Sequence, residues 1–197
     1  MKTLPILAAC LLVAMPAMAG EAPAPDIVPM AEATQWAERP VTVLVFLFPD
    51  CPVANRFAPE INAIYDDYGE KGVAFYRVYA GTHISAEAVE THTREYSHQF
   101  PAVLDPDLDL VRLTGARVTP EAVVIDAEGE QHYRGRINNR YVDFGQYRPE
   151  ATVHDLRDAL DAVLAGEPVA EPVTKAVGCF LPVPPEAEPS RETKEED

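Results

Sequence analysis

The run of eight residues at positions 41–48 constrains the fold of this chain more than any other segment. It reads Val-Thr-Val-Leu-Val-Phe-Leu-Phe and lies between Pro40 and Pro49. A short apolar run that is rich in β-branched and aromatic residues and bounded by prolines predicts a strand buried on both faces. Such a strand needs a sheet around it and helices above and below that sheet.

The rest of the chain alternates between helical and extended patterns. We predict helices over 31–38, 52–68, 85–99, 108–113 and 152–165, strands over 73–79 and 101–105, and a hairpin over 122–137. Strands separated by helices imply parallel pairing, and the hairpin adds antiparallel pairing at the end of the domain. We therefore expect an α/β fold with a mixed central sheet flanked by helices on both faces.

The two ends of the chain differ in composition from this domain. Residues 1–19 carry one positive charge, a short apolar stretch and an Ala-Met-Ala ending, which is the pattern of a secretory signal peptide. Beyond it we expect a Pro- and Ala-rich leader over 20–29, one domain over 30–168, an extension over 169–181 that carries Cys179, and a disordered acidic tail over 182–197.

The signal pattern predicts an exported, periplasmic protein whose mature chain has no transmembrane segment. The alternative is a lipid anchor on Cys10, because Leu-Ala-Ala-Cys over 7–10 resembles a lipoprotein box. The net charge of −16 argues against nucleic acid and against anionic membrane surfaces as partners. We expect no cofactor, and the sequence leaves the oligomeric state open.

Cys51 is the strongest candidate for a reactive group. It follows the central strand and precedes Pro52, a residue suited to the first position of a helix, so the thiol is predicted at the helix N-cap. Unpaired amides and the helix dipole favour a thiolate at that position, and Arg56 is expected to add to the effect. The alternative is a buried structural cysteine.

Several segments together resemble the thioredoxin superfamily, and in particular its exported redoxin and TlpA-like members. Cys51 stands where the family's first active-site cysteine stands, and Pro59 matches its helix-kinking proline. Val118-Thr119-Pro120 is similar to the family's cis-proline loop. The resemblance implies a thioredoxin-like fold with a catalytic Cys51 and a substrate site shaped by Pro52, Thr119, Pro120 and Arg56. A cis peptide before Pro120 would expose backbone groups beside the sulfur for an extended substrate strand.

The sequence departs from the family at two positions. Ala54 replaces the second cysteine of a Cys-x-x-Cys motif, so the usual intramolecular release of a mixed disulfide is lost. Phe48 replaces the threonine that precedes a peroxidatic cysteine by three residues, with Arg136 or Arg140 as candidates for the arginine that a peroxide site needs.

Cys179 is the second cysteine of the mature chain, and its role is left open. The sequence is compatible with three roles for Cys179. In the first it resolves an adduct on Cys51, in the second it forms a permanent disulfide with Cys51, and in the third it is a free or intermolecular thiol. The function expected first is a thiol-disulfide oxidoreductase that uses Cys51, with Cys179 as a second catalytic residue and a protein or small-molecule thiol or disulfide as substrate. The alternatives are a peroxiredoxin-like peroxidase and a non-catalytic thioredoxin-fold module that binds a partner or handles copper; the site residues themselves include no metal ligand set.

Overall fold

The computed structural model describes residues 27–182. The predicted signal peptide, most of the leader and nearly all of the acidic tail lie outside the described residues.

Five strands form the central sheet, in the order β3-β2-β1-β5-β6. The central strand β1 is buried along its whole length, as the apolar run predicts. It pairs in parallel with β2 and antiparallel with β5, so the expected mixed sheet is confirmed. The strand bounds are β1 Val41–Phe46, β2 Val73–Ala80, β3 Ala102–Asp105, β5 Glu121–Asp126 and β6 Gln131–Gly135.

Helices cover both faces of the sheet, which confirms the predicted layers. Val43 and Val45 of β1 point to one face of the sheet, which is covered by α2, α3 and α5. Leu44 and Phe46 point to the other face, towards α1 and α4. The alternation follows from the two-residue repeat of a strand. The helix bounds are α1 Met30–Ala33, α2 Pro52–Gly69, α3 Ala86–Tyr96, α4 Asp109–Thr114 and α5 Asp155–Leu164.

Several predicted bounds were wrong at their ends. The single helix expected over 31–38 is divided into α1 and a 3-10 turn over Trp36–Glu38. Helix α3 ends at Tyr96 rather than near residue 99, because Ser97 takes a left-handed conformation with φ of 54°. Helix α5 begins at Asp155, three residues later than expected.

Two short strands outside the main sheet matter for the site. Strand β4 (Val118–Thr119) pairs antiparallel with β9 (Cys179–Phe180), and the peptide bond between Thr119 and Pro120 is cis. A second small sheet consists of β7 (Tyr141–Asp143) and β8 (Gln146–Tyr147). The extension over 169–181 is therefore a docked part of the domain.

Two further contacts fix this extension to β6. The Arg134 amide donates to the Pro172 carbonyl at 2.9 Å, and the Thr174 amide donates to the Arg134 carbonyl at 3.1 Å. Within residues 27–182, no helix combines the length and the apolar character that crossing a membrane requires.

Candidate active site

The Cys51 thiol lies at the start of α2, between the helix and the cis-proline loop. Cys51 is the N-cap residue, and its sulfur accepts a hydrogen bond from the Ala54 amide at 3.4 Å. The thiol donates to the Thr119 carbonyl at 3.2 Å. Only 1% of the residue is exposed. The central strand, the Pro-led helix and the cis-proline loop thus converge on one sulfur atom.

Cys179 is the immediate neighbour of this sulfur. In the register of β4 and β9, Cys179 lies opposite Thr119, the residue whose carbonyl accepts from the Cys51 thiol. Cys51 and Cys179 line the same cleft, and Cys179 is among the groups that lower the pKa of Cys51. Both cysteines are free thiols in the structure. Two residues separated by most of the domain in sequence therefore lie together at one cleft as a dithiol.

The two thiols have opposite acidities. Burial raises the pKa of Cys51, but the neighbouring side chains of Cys179 and Thr119 and the hydrogen bond from the Ala54 amide together outweigh it, so that the pKa falls below its ordinary value. The Thr119 hydroxyl is buried and has no hydrogen-bond partner. Burial and the neighbouring Cys51 raise the pKa of Cys179 to about 12. Cys51 is therefore the more acidic thiol of the pair, and Cys179 is the less acidic one.

Pro52 and Pro120 lie beside the dithiol in different ways. Pro52 occupies the first helical position and is exposed. The peptide bond before Pro120 is cis, and the Thr119 carbonyl in that bond accepts the hydrogen bond from the Cys51 thiol. The expectation that the backbone before Pro120 is open to a substrate strand was wrong, because Val118 and Thr119 already pair with β9.

We predicted that Arg56 favours the Cys51 thiolate, but Arg56 is directed elsewhere in the structure. Its side chain is exposed and donates to the Tyr141 hydroxyl at 3.3 Å. It is absent from the groups that shift the pKa of Cys51. Arg56 lies about one turn after the start of α2, and its guanidinium points towards the small β7–β8 sheet rather than towards the Cys51 sulfur.

A cleft of about 290 Å³ leads to the dithiol. Its walls are mostly apolar and aromatic, and they come from the loop before α2 and the segment that leads into α3. They are formed by Phe48, Pro49, Asp50, Cys51, His83, Ile84, Ala88 and Cys179. A small reactant entering here would meet both sulfurs.

A buried hydrogen-bond chain that the sequence did not reveal supports this loop. The Tyr79 hydroxyl lies 2.7 Å from Nδ1 of His92, and Nε2 of His92 lies 2.9 Å from the Asn55 side-chain oxygen. The Asn55 amide in turn donates to the Pro49 carbonyl at 2.8 Å. Burial and the nearby Arg77 lower the pKa of His92 to about 4, so the imidazole is neutral. The Tyr79 hydroxyl then donates to Nδ1, and His92 donates to Asn55.

The residues of this chain are far apart in sequence, and that is why pattern analysis missed them. The histidines are scattered along the sequence, yet the ring centroids of His92 and His98 lie 5.2 Å apart in the structure. The available signal was Asn55, a polar residue one turn after Cys51 on a helix whose inner face is otherwise apolar.

Other candidate groups are engaged elsewhere. Arg136 forms two hydrogen bonds with the Asp155 carboxylate, at 2.8 and 2.9 Å, instead of serving a peroxide site. In the described part of the chain, one group of three potential metal ligands lies close together, and it consists of Asp126, Glu130 and His132 in the β5–β6 hairpin. That group does not include Cys51, so the copper-handling alternative gains no ligand set.

Several known proteins resemble this chain in sequence or in fold. Thiol-disulfide oxidoreductase ResA of Halalkalibacterium halodurans is 30% identical over 105 residues, which are 51% of this chain and 58% of that protein. The chain thus matches little more than half the length of this curated relative.

Two solved structures match a larger share of the chain. A hypothetical protein of Sinorhizobium meliloti superimposes with a TM-score of 0.64 at 24% identity, covering 77% of this chain and 82% of the other. An uncharacterized conserved protein of Geobacillus kaustophilus gives a TM-score of 0.62 at 26% identity, covering 76% and 80%.

The thioredoxin-like fold is confirmed, and the sequence profile of the AhpC/TSA family matches residues 21–133. That match covers more than half of the chain. This protein belongs to the AhpC/TSA family.

Proposed function

We propose that this protein is a thiol-disulfide oxidoreductase in which Cys51 is the attacking thiol and Cys179 the resolving thiol. The observation that carries the proposal is that two free thiols meet at the cis-proline loop: Cys51 donates to the Thr119 carbonyl, Cys179 pairs with Thr119, and both line one cleft. Their pKa values shift in opposite directions. A low pKa generates the nucleophile, and a nearby second thiol completes the exchange.

The reaction is two successive thiol-disulfide exchanges. The Cys51 thiolate attacks one sulfur of a substrate disulfide, forms a mixed disulfide and releases the other sulfur as a thiolate. Cys179 then loses its proton to that released thiolate and attacks the Cys51 sulfur. This breaks the mixed disulfide and releases the second half of the substrate as a thiolate, which takes up a proton from solvent. The products are the Cys51–Cys179 disulfide and two substrate thiols, so two electrons pass from the protein to the substrate. The reverse sequence oxidises a dithiol.

The position of Cys179 compensates for the residue missing from the motif. Ala54 leaves the helix without a second cysteine, and β9 brings a thiol to the same sulfur from the opposite side. The family assignment and the similarity to ResA, whose name records a thiol-disulfide oxidoreductase, support this chemistry for the present chain.

Trapping tests the assignment of the two roles. In Cys179→Ser, Cys51 should accumulate as a stable mixed disulfide with a small disulfide probe, visible as an added mass on the Cys51 peptide. The wild type should instead proceed to the Cys51–Cys179 disulfide. The matched Cys51→Ser variant should form neither product at a comparable rate. If Cys51 in Cys179→Ser reacts no faster than a free cysteine in an unfolded peptide, the proposal fails.

We also propose export, on the signal pattern of residues 1–19. Mass spectrometry of the protein secreted by a bacterial host should find a mature chain that begins at Gly20. A chain beginning at a lipid-modified Cys10 would support the anchored alternative and contradict the plain signal peptide.

A further inference from the structure

The backbone edge nearest to Cys51 is already occupied by the chain itself. Strand β9 pairs with β4 in antiparallel register, with Thr119 opposite Cys179 and Val118 opposite Phe180. The Leu181 amide extends the pairing by donating to the Arg117 carbonyl at 2.9 Å. An extended segment of another molecule would bind such an edge by adding a strand, and here that position is filled.

Close packing keeps β9 in this position. A side chain at Gly178 would overlap the Thr119 carbonyl, and one at Gly135 would overlap Thr174. Both glycines therefore permit backbone contacts that any larger residue prevents. The Leu181 side chain is buried in the core cluster on the α1 and α4 face of the sheet. Strand β9 is thus anchored before and after Cys179.

On the side of β4 that β9 covers, a competing strand could pair only with the outer edge of β9. Neighbouring strands lie about 4.8 Å apart, so that strand would be displaced by one such spacing from the Cys51 sulfur. An extended polypeptide therefore cannot align its disulfide beside Cys51 while β9 is docked.

The open route to the dithiol is the cleft between the loop before α2 and the start of α3. Its volume of about 290 Å³ is at the small end of ligand pockets. Phe48, Ile84 and Ala88 give it apolar walls, and Asp50 is the acidic group at its edge. The net charge of −16 further disfavours the approach of anions.

We propose that β9 acts as a built-in substitute for a substrate strand and thereby restricts the site to low-molecular-weight, uncharged or cationic disulfides. This inference rests on the proposed function and specifies its substrate class. Exchange follows the two steps given above, with the Cys51 thiolate attacking the small disulfide and Cys179 displacing the bound half as a thiolate.

The test compares two probes in variants that retain Cys51 as the one reactive thiol of the pair. The probes are hydroxyethyl disulfide and an unstructured peptide whose single cysteine carries the same mercaptoethanol group in disulfide linkage. Cys179→Ser provides the docked reference. Gly178→Val combined with Cys179→Ser displaces β9 through the overlap with Thr119. Phe180→Ala combined with Cys179→Ser is the matched control, because it shortens an exposed side chain of β9 without moving its backbone.

In the docked reference, hydroxyethyl disulfide should react with Cys51 faster than the peptide does. Displacement of β9 should raise the peptide rate relative to the small probe by about tenfold or more, since two or more backbone hydrogen bonds become available. The Phe180 control should leave the ratio unchanged. Leu181→Asp combined with Cys179→Ser releases β9 from its other end and serves if the Gly178 variant does not fold, as judged by circular dichroism.

The outcomes separate the two proposals. An unchanged ratio in folded variants with β9 displaced would overturn the substrate restriction and leave the oxidoreductase proposal intact. Failure of both probes to react with Cys51 in the docked reference would instead overturn the oxidoreductase proposal. Faster reaction of a dianionic disulfide such as glutathione disulfide than of cystamine would contradict the charge preference.

Discussion

The chemistry of Cys51 depends on a balance of opposing effects on one sulfur atom. Burial is the largest single influence on its pKa and acts against the thiolate. Groups of Cys179, Thr119 and Ala54 act together in the other direction and prevail. Because three residues share this effect, removal of one side chain should weaken the nucleophile without abolishing it.

Replacement of Cys179 tests this balance directly. Cys179→Ala removes a side-chain donor, so the pKa of Cys51 should rise and its alkylation by iodoacetamide at pH 7 should slow several-fold. Cys179→Ser retains a hydroxyl donor and should slow the reaction less. The ultraviolet absorbance of the thiolate as a function of pH provides the second measurement. Equal pKa values for Cys51 in the alanine and serine variants would contradict a role for the side-chain hydrogen bond.

Asn55 is expected to position the loop in front of Cys51. Asn55→Leu breaks the link between His92 and the Pro49 carbonyl, leaving buried polar groups without partners. We expect a loss of about 1–3 kcal/mol in the free energy of unfolding. Reaction of Cys51 with hydroxyethyl disulfide should also become slower, since the loop forms one wall of the cleft.

Asn62 offers a matched control on the same helix. It links His98, at 2.8 Å, to the Tyr96 carbonyl, at 3.0 Å, and is absent from the residues that line the cleft. Asn62→Leu should lower stability in urea unfolding by a comparable amount while leaving the reaction of Cys51 unchanged. If both variants slow Cys51 equally, the effect of Asn55 is general destabilisation rather than positioning of the loop.

At the scale of secondary structure, the sequence predicts those elements whose signals are local. The apolar run of β1, the Pro-led start of α2 and the cap at Ser85 each lie within a few residues, and each is found in the structure. Strand β9 has no comparable signal, because two residues cannot show a periodicity. Its position depends on two close contacts, between Gly135 of β6 and Thr174 and between Gly178 and Thr119 of β4. Both contacts exist only once β4 and β6 have formed.

Thr174 is the side chain that fastens the C-terminal extension. Its hydroxyl lies 2.7 Å from the Tyr133 hydroxyl and accepts from the Arg136 amide at 3.1 Å. Thr174→Val retains the shape but removes these bonds, and should cost about 1–3 kcal/mol in the free energy of unfolding. Formation of the Cys51–Cys179 disulfide by a small oxidant should slow as well, because β9 is held less firmly.

Val173 provides the control for this prediction. It is the adjacent residue, and its side chain is 60% exposed. Val173→Thr should change neither the urea midpoint nor the rate of disulfide formation. A Thr174→Val protein that loses stability but forms the disulfide at the wild-type rate would show that the anchor is dispensable for placing Cys179.

For the whole molecule, buried basic groups limit stability in acid. Arg77 is fully buried, and the described carboxylates include no ion-pair partner for it. Burial and this positive charge lower the pKa of His92 to about 4 and that of His98 to about 3. Both imidazoles are therefore neutral in the folded protein at a pH where an unfolded chain protonates them.

The pH dependence of stability follows from this difference. Below the unfolded value of about 6.5, the unfolded state binds protons that the folded state refuses, so the free energy of unfolding should fall as the pH falls. Each histidine should contribute a slope of up to about 1.4 kcal/mol per pH unit between roughly pH 6 and its folded pKa. Asp105, whose pKa burial raises, acts in the opposite direction. Urea unfolding at a series of pH values measures the slope.

His98→Asn should reduce this slope by the contribution of about one proton, whereas substitution of the exposed His154 by glutamine should leave the slope unchanged. A slope that is the same in all three proteins would mean that His98 is not held neutral by its surroundings.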